Sequence, residues 1–183
     1  RSLGILSAPV PVSNAALQTV GVATVIKDHV SRPLVLHSMG DGGTQEGEFL
    51  EACAEAVRMQ VPVLFLVQDN HWAISTQTHG QTFYSLPDGP AESFYGMPIH
   101  RVDGRNVITA WEQVRPVVAS VRERRAPAII VFDVERLASH TNADDESLYR
   151  EIEDRRQAAE TGDPIRILEQ HLLANGSSEI ELA

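Results

Sequence analysis

Three apolar runs constrain this chain more than any other feature: "PLVLHS" with its apolar stretch at 34–39, "VPVLFLVQ" at 61–68 and "PAIIVFDVERL" at 127–137. They are rich in β-branched and aliphatic residues and too short to cross a membrane. The first reads as a buried strand, the second as one covered on both faces of a parallel sheet, and the last as a third strong strand. Between the first two lies "TQEGEFLEACAEAVRMQ", in which Phe49, Leu50, Cys53, Val57 and Met59 recur mostly three or four apart. That spacing predicts an amphipathic helix. Before the third run, 98–104 reads as a short strand and 106–125 as a helix capped by Asn106, kinked or broken at Pro116. A helix over 13–28, opened by Ser13 or Asn14 with Gly21 at a close-packing point, precedes the first strand. A helix over 164–176 ends at Gly176. Residues 69–98 read as a long functional or packing loop, and 138–150 as a polar loop. Strands alternating with helices imply an α/β fold, a parallel sheet flanked by helices. At 183 residues the expectation is a single domain over 1–183. The absence of an initiating methionine suggests a fragment lacking its N-terminal part.

The chemistry lies where two of these strands end. "GDGG" at 40–43 closes the first, and Asp69-Asn70 closes the second. One crossover helix joins them, so Asp41 and Asn70 are expected to face each other across a crevice at the carboxyl edge of the sheet. A carboxylate and an amide oxygen are hard ligands that suit Mg²⁺, which keeps few protein oxygens and takes phosphates and water as well. Gly42 and Gly43 lack a Cβ, so their backbone N–H groups can approach an anion. Taken singly, "GDG" is most often a turn and "DN" says less. Paired across one strand–helix–strand unit, they suit a metal-bound diphosphate.

"GDGGTQEGEFLEACAEAVRMQVPVLFLVQDNHWAIST" also resembles the thiamine-diphosphate motif that starts with GDG and ends with paired asparagines. More narrowly it is similar to the α subunit of the thiamine-dependent 2-oxoacid dehydrogenases, as is "RLASHTNADDESLYR" at 136–150. The resemblance runs from about residue 6 to 173. It implies that Asp41 and Asn70 ligate Mg²⁺ by side chain and Trp72 by its carbonyl. It also implies that Gly40, Gly42, Gly43, Arg136 and His140 contact the cofactor, with His140 acting at the active centre. Thr141 stands where mitochondrial relatives carry a phosphorylatable serine. The implied reaction is oxidative decarboxylation of a 2-oxoacid with acyl transfer to a lipoyl group. Its implied partners are a β-type subunit or domain and a lipoyl-bearing acyltransferase. "WAIST" leans toward branched-chain substrates. Pyruvate and acetoin dehydrogenase α subunits are alternatives within the class, and a non-catalytic α-like domain pairing with a β-type chain is one outside it. Two positions depart from the family: Asp69 replaces the first asparagine, and Gln68 stands where branched-chain relatives often carry arginine. A cation lost and a carboxylate gained beside a diphosphate weaken anion binding, so either Asp69 points away into a structural hydrogen bond or affinity rests on parts outside this chain. The family's upstream tyrosine–arginine segment has no match here.

The remaining signals are weaker. An excess of acidic residues gives a net charge of −10, which disfavours nucleic acid and anionic membranes. No apolar run reaches the length of a membrane span. The single cysteine, Cys53, suits a reducing, cytoplasmic setting and reads as an inert residue on a helix's apolar face. The histidines other than His140 show no metal-ligand spacing and read as surface or packing residues, His71 being the exception to watch. Trp111 reads as core.

Overall fold

The computed structural model describes residues 4–6 and 11–178, so the expected 1–183 domain extends past it at both ends. Five α-helices are described: α1 (Ala15–Ile26), α2 (Gly47–Met59), α3 (Val107–Arg124), α4 (Ile152–Thr161) and α5 (Pro164–Ala174). The long strands are β1 (Val35–Gly40), β2 (Val63–Asp69), β8 (Met97–Asp103) and β9 (Ala128–Asp133). Between β2 and β8 run the two-residue strands β3 (Trp72–Ala73), β4 (Thr76–Gln77), β5 (Ser85–Leu86), β6 (Gly89–Pro90) and β7 (Ser93–Phe94). The main sheet has the order β1-β2-β9-β8-β7, parallel except for the β7–β8 pair. The expected α/β fold with a parallel sheet flanked by helices is the one observed.

Each face of the sheet has its own core. On one side α1 and α2 bring Ala16, Val20, Phe49, Ala52 and Cys53 against Phe65, Val67, Ile129 and Val131. On the other, α3 sets Ala110, Val117 and Val121 against Leu64, Val102 and Ile130. Cys53 is fully buried as read, and burial pushes its thiol up to about 12.

Several readings need correction. β1 is an edge of the main sheet, and Leu36 on it is 54% exposed, so this strand is covered on one face only. Gly21 is not a packing point. α1 buries Ala16, Thr19, Val20 and Ala23, leaving Gly21 exposed on the opposite side with open space where a Cβ would sit. Trp111 is 65% exposed, because α3 turns Ala110, Val117 and Val121 to the sheet and the indole lies off that face under Arg115. The helix α3 also continues through Pro116. Pro116 and Glu112, whose carbonyl loses its partner, are both exposed, so water can satisfy that group. The Asn106 cap is as expected, its side chain accepting from the Ile108 and Thr109 amides. The loop 69–98 folds into small hairpins that pack Tyr84, Phe94 and Met97 against the core.

Candidate functional site

Parallel pairing of β1 with β2 puts Gly40 opposite Gln68, so the glycine turn and the Asp69–Trp72 turn leave the sheet at the same carboxyl edge. Residues Asp41–Gln45 form a single 3₁₀ stretch and α2 starts only at Gly47, later than its sequence pattern suggests. The two turns are in contact. A Cβ on Gly42 would meet the Cβ of Ala73 at 2.8 Å and its Cα at 3.3 Å. Gly43 answers to a different neighbour. It is buried, and a Cβ there would meet Met39, Ser13 and Val12, while Ser13 Oγ donates to its carbonyl at 2.6 Å. Its lack of a side chain therefore serves packing. Gly42, by contrast, is exposed, and Gly40 ends β1 with open space around its Cα.

Asp41 is 2% exposed. Its Oδ2 accepts from Thr78 Oγ1 at 2.6 Å, a partner that lies 37 residues away and leaves no trace in the sequence pattern. Burial holds this carboxyl above the ordinary carboxylate range, the Thr78 bond opposes that, and the nearby charge of Asp69 adds to it. Asn70 Oδ1 accepts from the Trp72 amide at 3.0 Å, which fixes the side chain within its own turn. Among the described residues, no group of three or more His, Cys, Asp and Glu could hold a metal ion. A cation here would rest on one carboxylate, Asp41, supplemented by neutral oxygens of Asn70 and the backbone at Trp72. That donor set fits Mg²⁺, which takes few protein oxygens and completes its shell with phosphate and water. A buried carboxylate beside a second one is also a place where a cation offsets repulsion.

The departures at 68 and 69 have local explanations. Asp69 is buried, and its Oδ1 accepts from the His71 amide at 3.0 Å and lies 3.3 Å from His71 Nδ1. His71 Nε2 lies 3.1 Å from Asp133 Oδ1. The bond to Asp133 and then that to Asp69 raise the His71 pKa to about 10, against the effect of burial. Asp69 is thus committed to a structural hydrogen bond, although Asp41 still feels its charge. Gln68 reaches Ser38 Oγ at 3.1 Å across β1.

The loop 138–150 is tied by polar bonds. Arg136 is buried and donates to Ile74 O at 2.7 Å and Tyr149 Oη at 2.8 Å, its guanidinium carbon 5.8 Å from the centre of the Trp72 ring. Tyr149 Oη donates to Asp144 Oδ2 at 2.6 Å, which also accepts from the His140 amide at 2.8 Å. Arg150, buried, bonds Arg136 O, Glu146 and Asp154. Arg136 therefore joins the loop to the Trp72–Ile74 segment, while the His140 and Thr141 side chains are exposed.

A family model, described as Dehydrogenase E1 component, matches residues 2–182. The chain belongs to this family. The similarity extends to the 3-methyl-2-oxobutanoate dehydrogenase subunit alpha of Mycobacterium tuberculosis, 34% identical over 146 residues, covering 79% of this chain and 39% of the relative. It also extends to the pyruvate dehydrogenase E1 component subunit alpha of Porphyra purpurea, 31% identical over 91% of this chain and 48% of the relative. The mitochondrial 2-oxoisovalerate dehydrogenase subunit alpha 1 of Arabidopsis thaliana is 31% identical over 76% of this chain and 29% of its own. The chain thus spans less than half the length of these relatives. Branched-chain and pyruvate types both stand among them, as the sequence motifs suggest. Among the described residues, no helix of this family member is long and apolar enough to cross a membrane.

Proposed function

We propose that this chain is the diphosphate-anchoring α-type part of a 2-oxoacid dehydrogenase that uses thiamine diphosphate and Mg²⁺. The observation that carries the reading is the close approach of the two turns: Gly42, next to buried Asp41, lies so near Ala73, which follows the Asn70–Trp72 turn, that a Cβ on it would be 2.8 Å from the Ala73 Cβ. Asp41 and Asn70 would hold the metal by their side chains and Trp72 by its carbonyl. Exposed Gly42, with Gly40 beside it, would offer backbone N–H groups to the diphosphate. The bound cofactor supplies the electron sink for decarboxylation. The chain's own residues anchor it, and the Arg136–Tyr149–Asp144 bonds hold the His140 backbone in a loop joined to the Trp72 segment. His140, exposed on that loop, would be the side chain that meets the substrate or a proton. Reaction further requires a β-type partner and, for acyl transfer, a lipoyl-bearing acyltransferase. Branched-chain oxoacids are the favoured substrates, on the strength of "WAIST" and of the relatives named for 3-methyl-2-oxobutanoate and 2-oxoisovalerate. The buried, unpaired Cys53 accords with a reducing, cytoplasmic setting.

The test is turnover. The full-length chain assembled with its β-type partner should release CO₂ from 3-methyl-2-oxobutanoate faster than from pyruvate, and only with thiamine diphosphate and Mg²⁺. The chain without the partner should be inactive. No turnover of any 2-oxoacid by the loaded assembly would favour a non-catalytic α-like domain.

A further inference from the structure

His71 has a backbone φ of +65°, a left-handed conformation that suits glycine and costs a residue with a Cβ. Histidine is among the residues that tolerate this region better than most, and here its side chain is also engaged. The imidazole lies between Asp69 Oδ1 at 3.3 Å and Asp133 Oδ1 at 3.1 Å. These two carboxylates are register partners at the carboxyl ends of β2 and β9. The next register partner, Asp103 on β8, accepts from Arg105 Nε at 2.8 Å, and Arg105 Nη2 reaches Asp133 Oδ2 at 3.4 Å. Asp69, His71, Asp133, Arg105 and Asp103 therefore form an alternating row across three parallel strand ends. His71 is thus the group placed between the neighbouring carboxylates at the ends of β2 and β9. With it, the turn that begins at Asp69 is pinned to β9, and the backbone bond from Val134 N to Asp69 O at 3.0 Å lies beside the pin.

We propose that His71 is a positioning residue: by bridging Asp69 and Asp133 it clamps the turn carrying Asn70 and Trp72 to the sheet edge opposite Asp41. The consequence for metal and cofactor rests on the functional reading above, whereas the clamp itself does not. A glycine at 71 separates the two contributions of the residue. It keeps the left-handed backbone without strain and removes the bridge. An asparagine also tolerates that conformation but is too short to span both carboxylates.

The experiment uses the full-length chain assembled with its β-type partner, as wild type, His71→Gly and His71→Asn. Amide hydrogen exchange is read over 69–76 without cofactor, and thiamine diphosphate is titrated calorimetrically in the presence of Mg²⁺. We expect exchange at 70–74 to rise about tenfold in both variants while core strands β2 and β9 stay protected, and cofactor affinity to fall about tenfold. Wild-type protection at 70–74 in either folded variant would overturn the clamp. Faster exchange with wild-type cofactor affinity would overturn its positioning role. If wild type itself binds no cofactor, the functional reading and the positioning role both fall, and the exchange data still decide the clamp. Should His71→Gly fail to assemble, His71→Asn carries the same comparison.

Discussion

Adding one methyl group at Gly42 tests how closely the two turns must meet. In Gly42→Ala the new Cβ would be 2.8 Å from Ala73 Cβ and 3.3 Å from Ala73 Cα. Carbon atoms pack at about 3.5–4.0 Å, so the turns must part by roughly 1 Å. Ala73 has no rotamer through which to yield, and the movement falls on the backbone. Such overpacking costs about 1–3 kcal/mol. For a chain of this size that corresponds to a melting temperature lower by roughly 2–12 °C. The same 1 Å separates Asp41 from the Asn70–Trp72 turn, and because Mg–O bonds are held near 2.1 Å, Mg²⁺-dependent cofactor affinity should fall by about tenfold or more. Thermal unfolding and calorimetric titration of the assembled protein give both numbers. Gly40→Ala is the stability control: its Cβ meets nothing within 4 Å, and its φ of −79° suits any residue. Its stability should stay within about 0.5 kcal/mol of wild type. Ala73→Gly removes the nearer atom and should restore much of the stability lost in Gly42→Ala. A Gly42→Ala protein with unchanged melting and binding, or a double variant no better than the single one, would refute the reasoning.

Asp41→Asn keeps an acceptor for Thr78 and removes a buried charge near Asp69, so the cofactor-free protein should be at least as stable as wild type while Mg²⁺-dependent binding is lost; denaturant unfolding that shows a large loss would contradict this. His37 is buried between Phe49 and Phe65 with its Nε2 lacking a partner, and burial lowers its pKa below 6.5. The unfolded chain then takes up the proton first, so stability should fall as pH drops below 6.5, by at most about 1.4 kcal/mol per unit. His37→Leu should lose that part of the slope, which denaturation between pH 5 and 8 would show. Pro116→Ala restores a hydrogen bond to the Glu112 carbonyl and should stabilise α3 by about 1–3 kcal/mol, seen as a higher melting temperature. Tyr149→Phe breaks the Arg136–Tyr149–Asp144 link, and limited proteolysis within 138–147 should become faster, with cofactor slowing it less than in wild type.

What was legible in the sequence was local or fixed by topology. The Asn106 cap is decided by bonds two and three residues away, and the exit of the glycine turn and the Asp69–Asn70 turn at one sheet edge follows once two parallel strands share one crossover. What was not legible depends on partners distant in the chain. β1 is apolar enough to be covered on both faces, but its exposure depends on which strands flank it. Trp111 and Gly21 look internal by residue type, yet each sits on the side of its helix turned from the sheet. The charged α4 has too few apolar residues for its period to show. Thr78 is an ordinary hairpin residue until the fold carries it to Asp41, and the bridge of His71 to Asp133 spans 62 residues. Gly43 matched the ligand pattern, but its requirement for glycine comes from Met39, Ser13 and Val12.

The central claim is that Asp41 anchors a cofactor diphosphate through Mg²⁺. Calorimetric titration of thiamine diphosphate into the full-length assembly, wild type against Asp41→Ala, with Mg²⁺ and then with a chelator, tests it most directly. The account predicts binding to wild type that needs Mg²⁺ and is abolished by Asp41→Ala at ordinary cofactor concentrations. Binding that ignores the chelator, or survives unchanged in Asp41→Ala, would contradict it.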